Sequence, residues 1–235
     1  MKPTKREVVL ACFVFVCGFL VIKLAMEPRL DYRDRVSCYS NLKRIGLALA
    51  MYTQDNDQTL PRAWFGRNAG LSDSTANYKW MDAVFPYIKQ QEVFSCPRDK
   101  ISKSYRYRSA DNYGSYSMNN SYFAPGDKQT SPAGLPLSSI ESPANTVCIT
   151  DSENTFQFAW PDAARTPPMI NVRPFQLGSI RGRHSTQRKA TGYGEALALN
   201  CDFSASTATL HYERHTRIIN GKLIYLYLTV EDDGQ

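Results

Sequence analysis

Charge is nearly missing from one stretch of this chain. Between Val8 and Met26, 19 residues carry a single charged side chain, Lys23. Histidine is scarce, with three copies in 235 residues. No nucleophile elbow, phosphate-cradling loop or paired-acid motif occurs, and no internal repeat is visible. These absences argue against an enzyme and against a repeat scaffold. The remaining composition, 43% hydrophobic and 21% charged, excludes a disordered or fibrous chain and allows one ordinary domain plus an appendage. From Glu27 onward the chain is polar and loop-rich.

The net charge of +6 at pH 7 is divided between two regions. Lys2, Lys5, Arg6 and Lys23 against Glu7 supply half of it within the first 26 residues. The other half is spread over the rest of the chain, so net charge argues only weakly for nucleic acid as a partner.

As a helix, the Val8–Met26 run would rise about 28 Å, close to the roughly 30 Å hydrocarbon core of a bilayer. Lys2, Lys5 and Arg6 precede it and favour a cytoplasmic N-terminus. Lys23, near the far end, can snorkel to the headgroups. Leu24-Ala25-Met26 is a poor signal-peptidase site, and only four apolar residues precede Cys12, too few for a lipoprotein signal. The expectation is a retained single-span anchor over residues 1–28 and an exported head over 29–235. Past Pro28, placed for a kink, the stretch to Asp55 has no proline and only Gly46. Val36, Ile45, Leu49 and Tyr52 are expected to form the side of this helix that packs on the head.

Specific motifs lie on that upper helix. Ser37-Cys38-Tyr39-Ser40-Asn41-Leu42-Lys43-Arg44-Ile45-Gly46-Leu47-Ala48-Leu49 runs to Tyr52, followed by Asp55-Asn56 and Leu60-Pro61. Further blocks are Phe85-Pro86-Tyr87-Ile88, Val93-Phe94-Ser95-Cys96-Pro97, Tyr116-Ser117-Met118-Asn119, Thr150-Asp151-Ser152 and Arg183-His184. Together they resemble the type IV pilin and type II secretion pseudopilin class, over roughly residues 3–210. The resemblance implies a non-enzymatic subunit that works by packing its N-terminal helix among those of other pilin-like subunits or secretion machinery. It places the class's helix-start glutamate on Glu7 and the remnant of its processing site on Lys2 and Pro3, where glycine is absent. An unprocessed chain that keeps Met1 is therefore expected. Because Lys5 and Arg6 offer Glu7 partners in its own chain, an accessory subunit is favoured over a major filament subunit. The C-terminal block of the class is degraded here to Asn200-Cys201-Asp202-Phe203-Ser204.

Cys12 and Cys17 fall in the apolar run and read as small apolar residues. Cys38 and Cys96 both lie in blocks of the resemblance, which implies a disulfide between them. Cys38, Cys96, Cys148 and Cys201 nonetheless allow three pairings. Cys148 reads first as a buried strand residue. A zinc site from Cys201, His211 and His215 is disfavoured because Ala208–Tyr212 alternates like a strand, which sets residues four apart about 13 Å from one another. The resemblance leaves room for calcium, with Asp151 and Asp202 as imaginable donors, but no ligand-spaced loop is present. No other cofactor is expected.

The segment from Ala163 to Gly194 is basic without an acidic residue: Arg165, Arg173, Arg181, Arg183, Arg188 and Lys189. It supports an alternative reading, an anchored binding module capturing a polyanion such as DNA or lipopolysaccharide. The tyrosines at 105, 107, 113, 116 and 122 could stack on bases or simply pack. The expected fold is α+β: a long N-terminal helix, membrane-spanning below and amphipathic above, packed on an antiparallel sheet. A short helix is expected at Trp80–Ile88, strands near 145–150, 195–201 and 205–212, and a hairpin turning at Asn220-Gly221.

Overall fold

The computed structural model describes residues 5–67, 77–109, 111–120, 131–152, 155–158, 184, 196–208, 216–219 and 222–225. Helix α1 runs Lys5–Asp55, about 76 Å at the usual rise. It passes Pro28 as one continuous helix, as the long-helix reading expects. Among its described side chains, only those of the upper part are buried. Cys38, Leu42, Ile45, Ala48, Leu49 and Thr53 are covered, and Tyr52 is half-buried.

Val36 is a correction: it is 49% exposed. At 100° per residue it stands about 180° from Ile45, since nine residues are two and a half turns. Its apolar character had placed it on the core side; its position on the helical wheel puts it on the opposite one.

The elements after α1 wrap that buried stripe. Strands β1 (Trp64–Arg67) and β2 (Asn77–Lys79) form an antiparallel pair. Helix α2 occupies Trp80–Ile88 as its apolar pattern predicts, and closes on Lys89 in the left-handed conformation, whose N–H bonds the Phe85 carbonyl at 2.8 Å. The main sheet joins β3 (Tyr116–Asn119), β4 (Val147–Asp151), β5 (Gln157–Phe158), β6 (Ala196–Asn200) and β7 (Ala205–Ala208) in the order β5-β3-β4-β6-β7. Its pairs are antiparallel except β3–β5, which is parallel. Strands β8 (Thr216–Ile219) and β9 (Lys222–Tyr225) form the hairpin over Asn220-Gly221.

α1 touches α2, β6, β7 and the 3-10 turn Gln91–Phe94. The approach is close at Gly46, where an added Cβ would lie 2.9 Å from the Phe203 carbonyl oxygen and 3.0 Å from Leu199 Cδ1. A glycine is what lets the helix seat against the β6–β7 turn.

The tyrosine-rich stretch packs rather than presenting a stacking surface. Tyr105 and Tyr116 are buried, Tyr107 stacks on Phe85, and Tyr113 meets Phe156 edge-on; Tyr122 lies outside the described residues. Tyr105 completes a polar knot absent from the sequence reading. The fully buried Asp82 carboxylate accepts the Lys79 backbone N–H at 3.1 Å, the Lys79 ammonium at 2.8 Å, the Tyr105 hydroxyl at 2.7 Å and the Arg108 N–H at 2.7 Å. Burial holds the Lys79 amine below its usual range, against the pull of Asp82. Burial, then the Asp82 charge, pushes the Tyr105 phenol far up. The knot ties α2 to the loop after Cys96.

Candidate functional site

Three features are candidates: the bare faces of α1, the disulfide junction and a cleft beside it.

The lower helix exposes apolar side chains on every side. Phe13, Val14, Phe15, Val16, Phe19, Leu20 and Ile22 are 51–78% exposed. Higher up, Tyr32, Val36, Leu47 and Met51 are also exposed. At 100° per residue these four fall within about 100° of one another, on the side facing away from Ile45. Contiguous bare apolar surface of this extent marks an interaction face. Among the described residues, no helix is long and apolar enough to cross a membrane. Glu7 lies in the first turns of α1, but its side chain is outside what the structure describes, as are Lys2 and Pro3.

The junction is built from the motif blocks. Cys38 on α1 is bonded to Cys96 of the Cys-Pro loop, with Cα atoms 5.2 Å apart. The Cys96 N–H donates to Ser115 Oγ at 2.9 Å, and the Tyr116 hydroxyl reaches the Cys38 carbonyl at 3.4 Å. His184 Nε2 lies 3.6 Å from Cys96 Sγ and 3.4 Å from Asp151 Oδ2. Asp151 Oδ2 also accepts the Leu197 N–H at 2.8 Å, which connects the junction to β6.

Both sulfurs, the imidazole and the carboxylate are buried. Among the described residues the imidazole–carboxylate pair and the disulfide are thus shielded from solvent, with Cys96 at the edge of the cleft beside them. Cys38, Cys96 and His184 place donor atoms within 4.8 Å of one another, the one such trio among the described residues. With both sulfurs in an S–S bond, they are not available as thiolate ligands. The two imagined calcium donors differ in setting. Asp151 is buried at the junction; Asp202 is exposed on the β6–β7 turn and accepts the Ser204 N–H and hydroxyl at 2.9 and 2.6 Å. His211 and His215 lie outside the described residues.

The cleft, about 640 Å³, lies beside Cys96 between α1 and the Cys-Pro loop; Asn41, Arg44, Glu92, Asp99 and Arg106 line it. Its charges are of both signs, so no ligand class is selected. The basic residues Arg165, Arg173, Arg181, Arg183, Arg188 and Lys189 lie outside the described residues, and only His184 of that region is placed.

A family described as "Protein of unknown function (DUF1559)" matches residues 33–196. The chain belongs to this family. No curated protein and no solved structure matches it. The DUF1559 match holds every side chain of the junction, from Cys38 through Cys96, Ser115, Tyr116 and Asp151 to His184. The family's matched region is thus the part of the chain that converges on the disulfide. The apolar lower helix precedes it, and most of β6 and all of β7 follow it.

Sequence reasoning found Cys38 and Cys96 through their motif blocks. It missed the approach of His184 and Asp151 to them, for which no spacing gives a signal. It also missed the outward stripe, which was legible in the helical positions of Tyr32, Val36, Leu47 and Met51.

Proposed function

We propose that this chain is a non-enzymatic, pilin-like assembly subunit, of the kind that serves type II secretion or type IV pilus-like machines. Its lower helix would sit in the inner membrane with the N-terminus cytoplasmic and the head periplasmic or at the cell surface.

The observation that carries the reading is the bare apolar surface of α1. Seven large apolar side chains between Phe13 and Ile22 are exposed with nothing of the described chain against them. At about 1.5–3 kcal/mol for each such side chain, covering them is worth on the order of 10 kcal/mol. A helix apolar all round belongs in lipid or in a bundle of helices. The basic flank and the near-uncharged run from Val8 to Met26 favour lipid for the lower part. The outward stripe continues that surface above the membrane, where other helices are the fitting cover. The motif blocks shared with pseudopilins add support from resemblance. No described residue favours the polyanion reading.

The test uses the full chain in its native membrane. Carbonate-resistant membrane association, protease access to the head in spheroplasts, and homotypic crosslinks through Leu47→Cys are expected. Release by carbonate, or a head shielded in spheroplasts, would sink the reading. Anchoring without crosslinks to itself or to other subunits would leave an anchored protein that does not assemble.

A further inference from the structure

Two buried cysteines remain outside the junction. Cys148 sits on β4 where the ladder to β6 slips. Val147 pairs with Asn200 and Ile149 with Leu199, so Cys148 is the extra residue of a bulge. Cys201 follows β6 directly, and its N–H bonds the Thr146 carbonyl at 2.9 Å, two residues before Cys148. The two positions therefore stand beside each other across one ladder. They are 0% and 1% exposed, and both are free thiols.

We propose that Cys148 and Cys201 form a second disulfide in the mature protein, closed by thiol–disulfide exchange with an oxidised dithiol donor during folding. One thiolate attacks a donor sulfur and makes a mixed disulfide. The other thiolate then displaces the donor, which leaves as a dithiol. The chain loses two electrons and two protons, and the donor gains them. Timing follows from burial. In the folded head the Cys201 thiol is pushed well up, first by desolvation and then by Cys148, so little thiolate is present and no donor reaches it. Before β6 docks on β4 both sulfurs are open. A bulge fits this role, because it leaves its extra residue unpaired in the ladder, here next to the end of the neighbouring strand.

The bond would bracket everything from Ile149 to Asn200, including the basic Ala163–Gly194 segment, and fasten β6 to the sheet. Closure in cells needs the exported head proposed above; closure of the pair as such does not.

Full-length protein from its native membrane is acid-quenched, denatured, alkylated and mapped by non-reducing peptide mass spectrometry. The expected result is a Cys148–Cys201 crosslinked peptide beside Cys38–Cys96, with alkylation confined to Cys12 and Cys17. Cys38–Cys96 closed with Cys148 and Cys201 both alkylated overturns the proposal. If all four head cysteines are alkylated, it is the export reading that fails. The pair is then decided by refolding the reduced full chain in detergent with a glutathione and glutathione-disulfide buffer, where absence of the Cys148–Cys201 peptide overturns it. A Cys148→Ser chain should show Cys201 newly alkylated with Cys38–Cys96 intact; a shuffled Cys38–Cys201 or Cys96–Cys201 bond would also count against the assigned pairing.

Discussion

His184 Nε2 lies between two partners, 3.6 Å from Cys96 Sγ and 3.4 Å from Asp151 Oδ2. The imidazole thereby couples the covalent link on α1 to the central strand β4. His184→Ala removes that bridge while Asp151 keeps the Leu197 N–H. A loss of about 1–3 kcal/mol is expected from the weakened buried acceptor, read as a lower urea midpoint with an unchanged slope.

Reducing Cys38–Cys96, or replacing both with serine, frees a loop of 58 residues in sequence separation. A destabilisation of about 4 kcal/mol is expected from the lost constraint on the unfolded chain. Urea unfolding with and without reductant measures it. An unchanged midpoint with both thiols shown to be reduced would contradict a stabilising bond.

Tyr105 gives the stability a pH signature. Its phenol titrates far above the ordinary value of 10 when folded, because burial and Asp82 disfavour the phenolate. Above pH 10 the unfolded chain releases this proton and the folded chain keeps it, so stability falls as pH rises. The expected slope is about 1.4 kcal/mol per pH unit for one proton. Lys79, held low by burial, works in the opposite sense below 10.5, where the unfolded chain binds the extra proton. Tyr105→Phe should cost about 1–3 kcal/mol at neutral pH through the lost Asp82 hydrogen bond, and should flatten the alkaline fall by about one proton. Urea midpoints from pH 8 to 11 check both.

Two neighbouring helix positions should separate folding from assembly. Ile45→Ala opens the core and is expected to cost about 2–5 kcal/mol. Leu47→Asp lies on the outward stripe, 68% exposed, and should leave the unfolding midpoint within about 0.5 kcal/mol. If helices of other subunits cover the stripe, Leu47→Asp should nonetheless abolish crosslinking through Met51→Cys. A Leu47→Asp chain that crosslinks normally would remove the stripe from the interface.

Gly46 makes a sharper packing test. Alanine improves helix propensity by about 1 kcal/mol, yet its Cβ would press within 2.9 Å of the Phe203 backbone oxygen. A net loss is expected for Gly46→Ala and a larger one, about 2–3 kcal/mol, for Gly46→Val.

Local signals carried much of the architecture. The proline-free stretch to Asp55, the compact apolar block at Trp80–Ile88 and Asn220-Gly221 each specify their element from neighbours in sequence. The short strands β1, β2, β3 and β5 do not, because two to four polar or aromatic residues become strands only through the partner they meet. Val36 was misplaced because apolar character was followed without checking its position on the wheel. The Lys79–Asp82–Tyr105 knot and the Cys148–Cys201 pair are tertiary: a buried carboxylate with four donors, and thiols on β4 and just past β6, have no signature of spacing.

Cys38 is the first fully buried side chain met on moving up the described part of α1, and it is also the bonded one. Tension along the helix axis would therefore reach a covalent tether before it reached the apolar contacts of Leu42, Ile45 and Leu49. Pulled from below, the head would behave as a riveted cap whose detachment needs a chemical reductant as well as force.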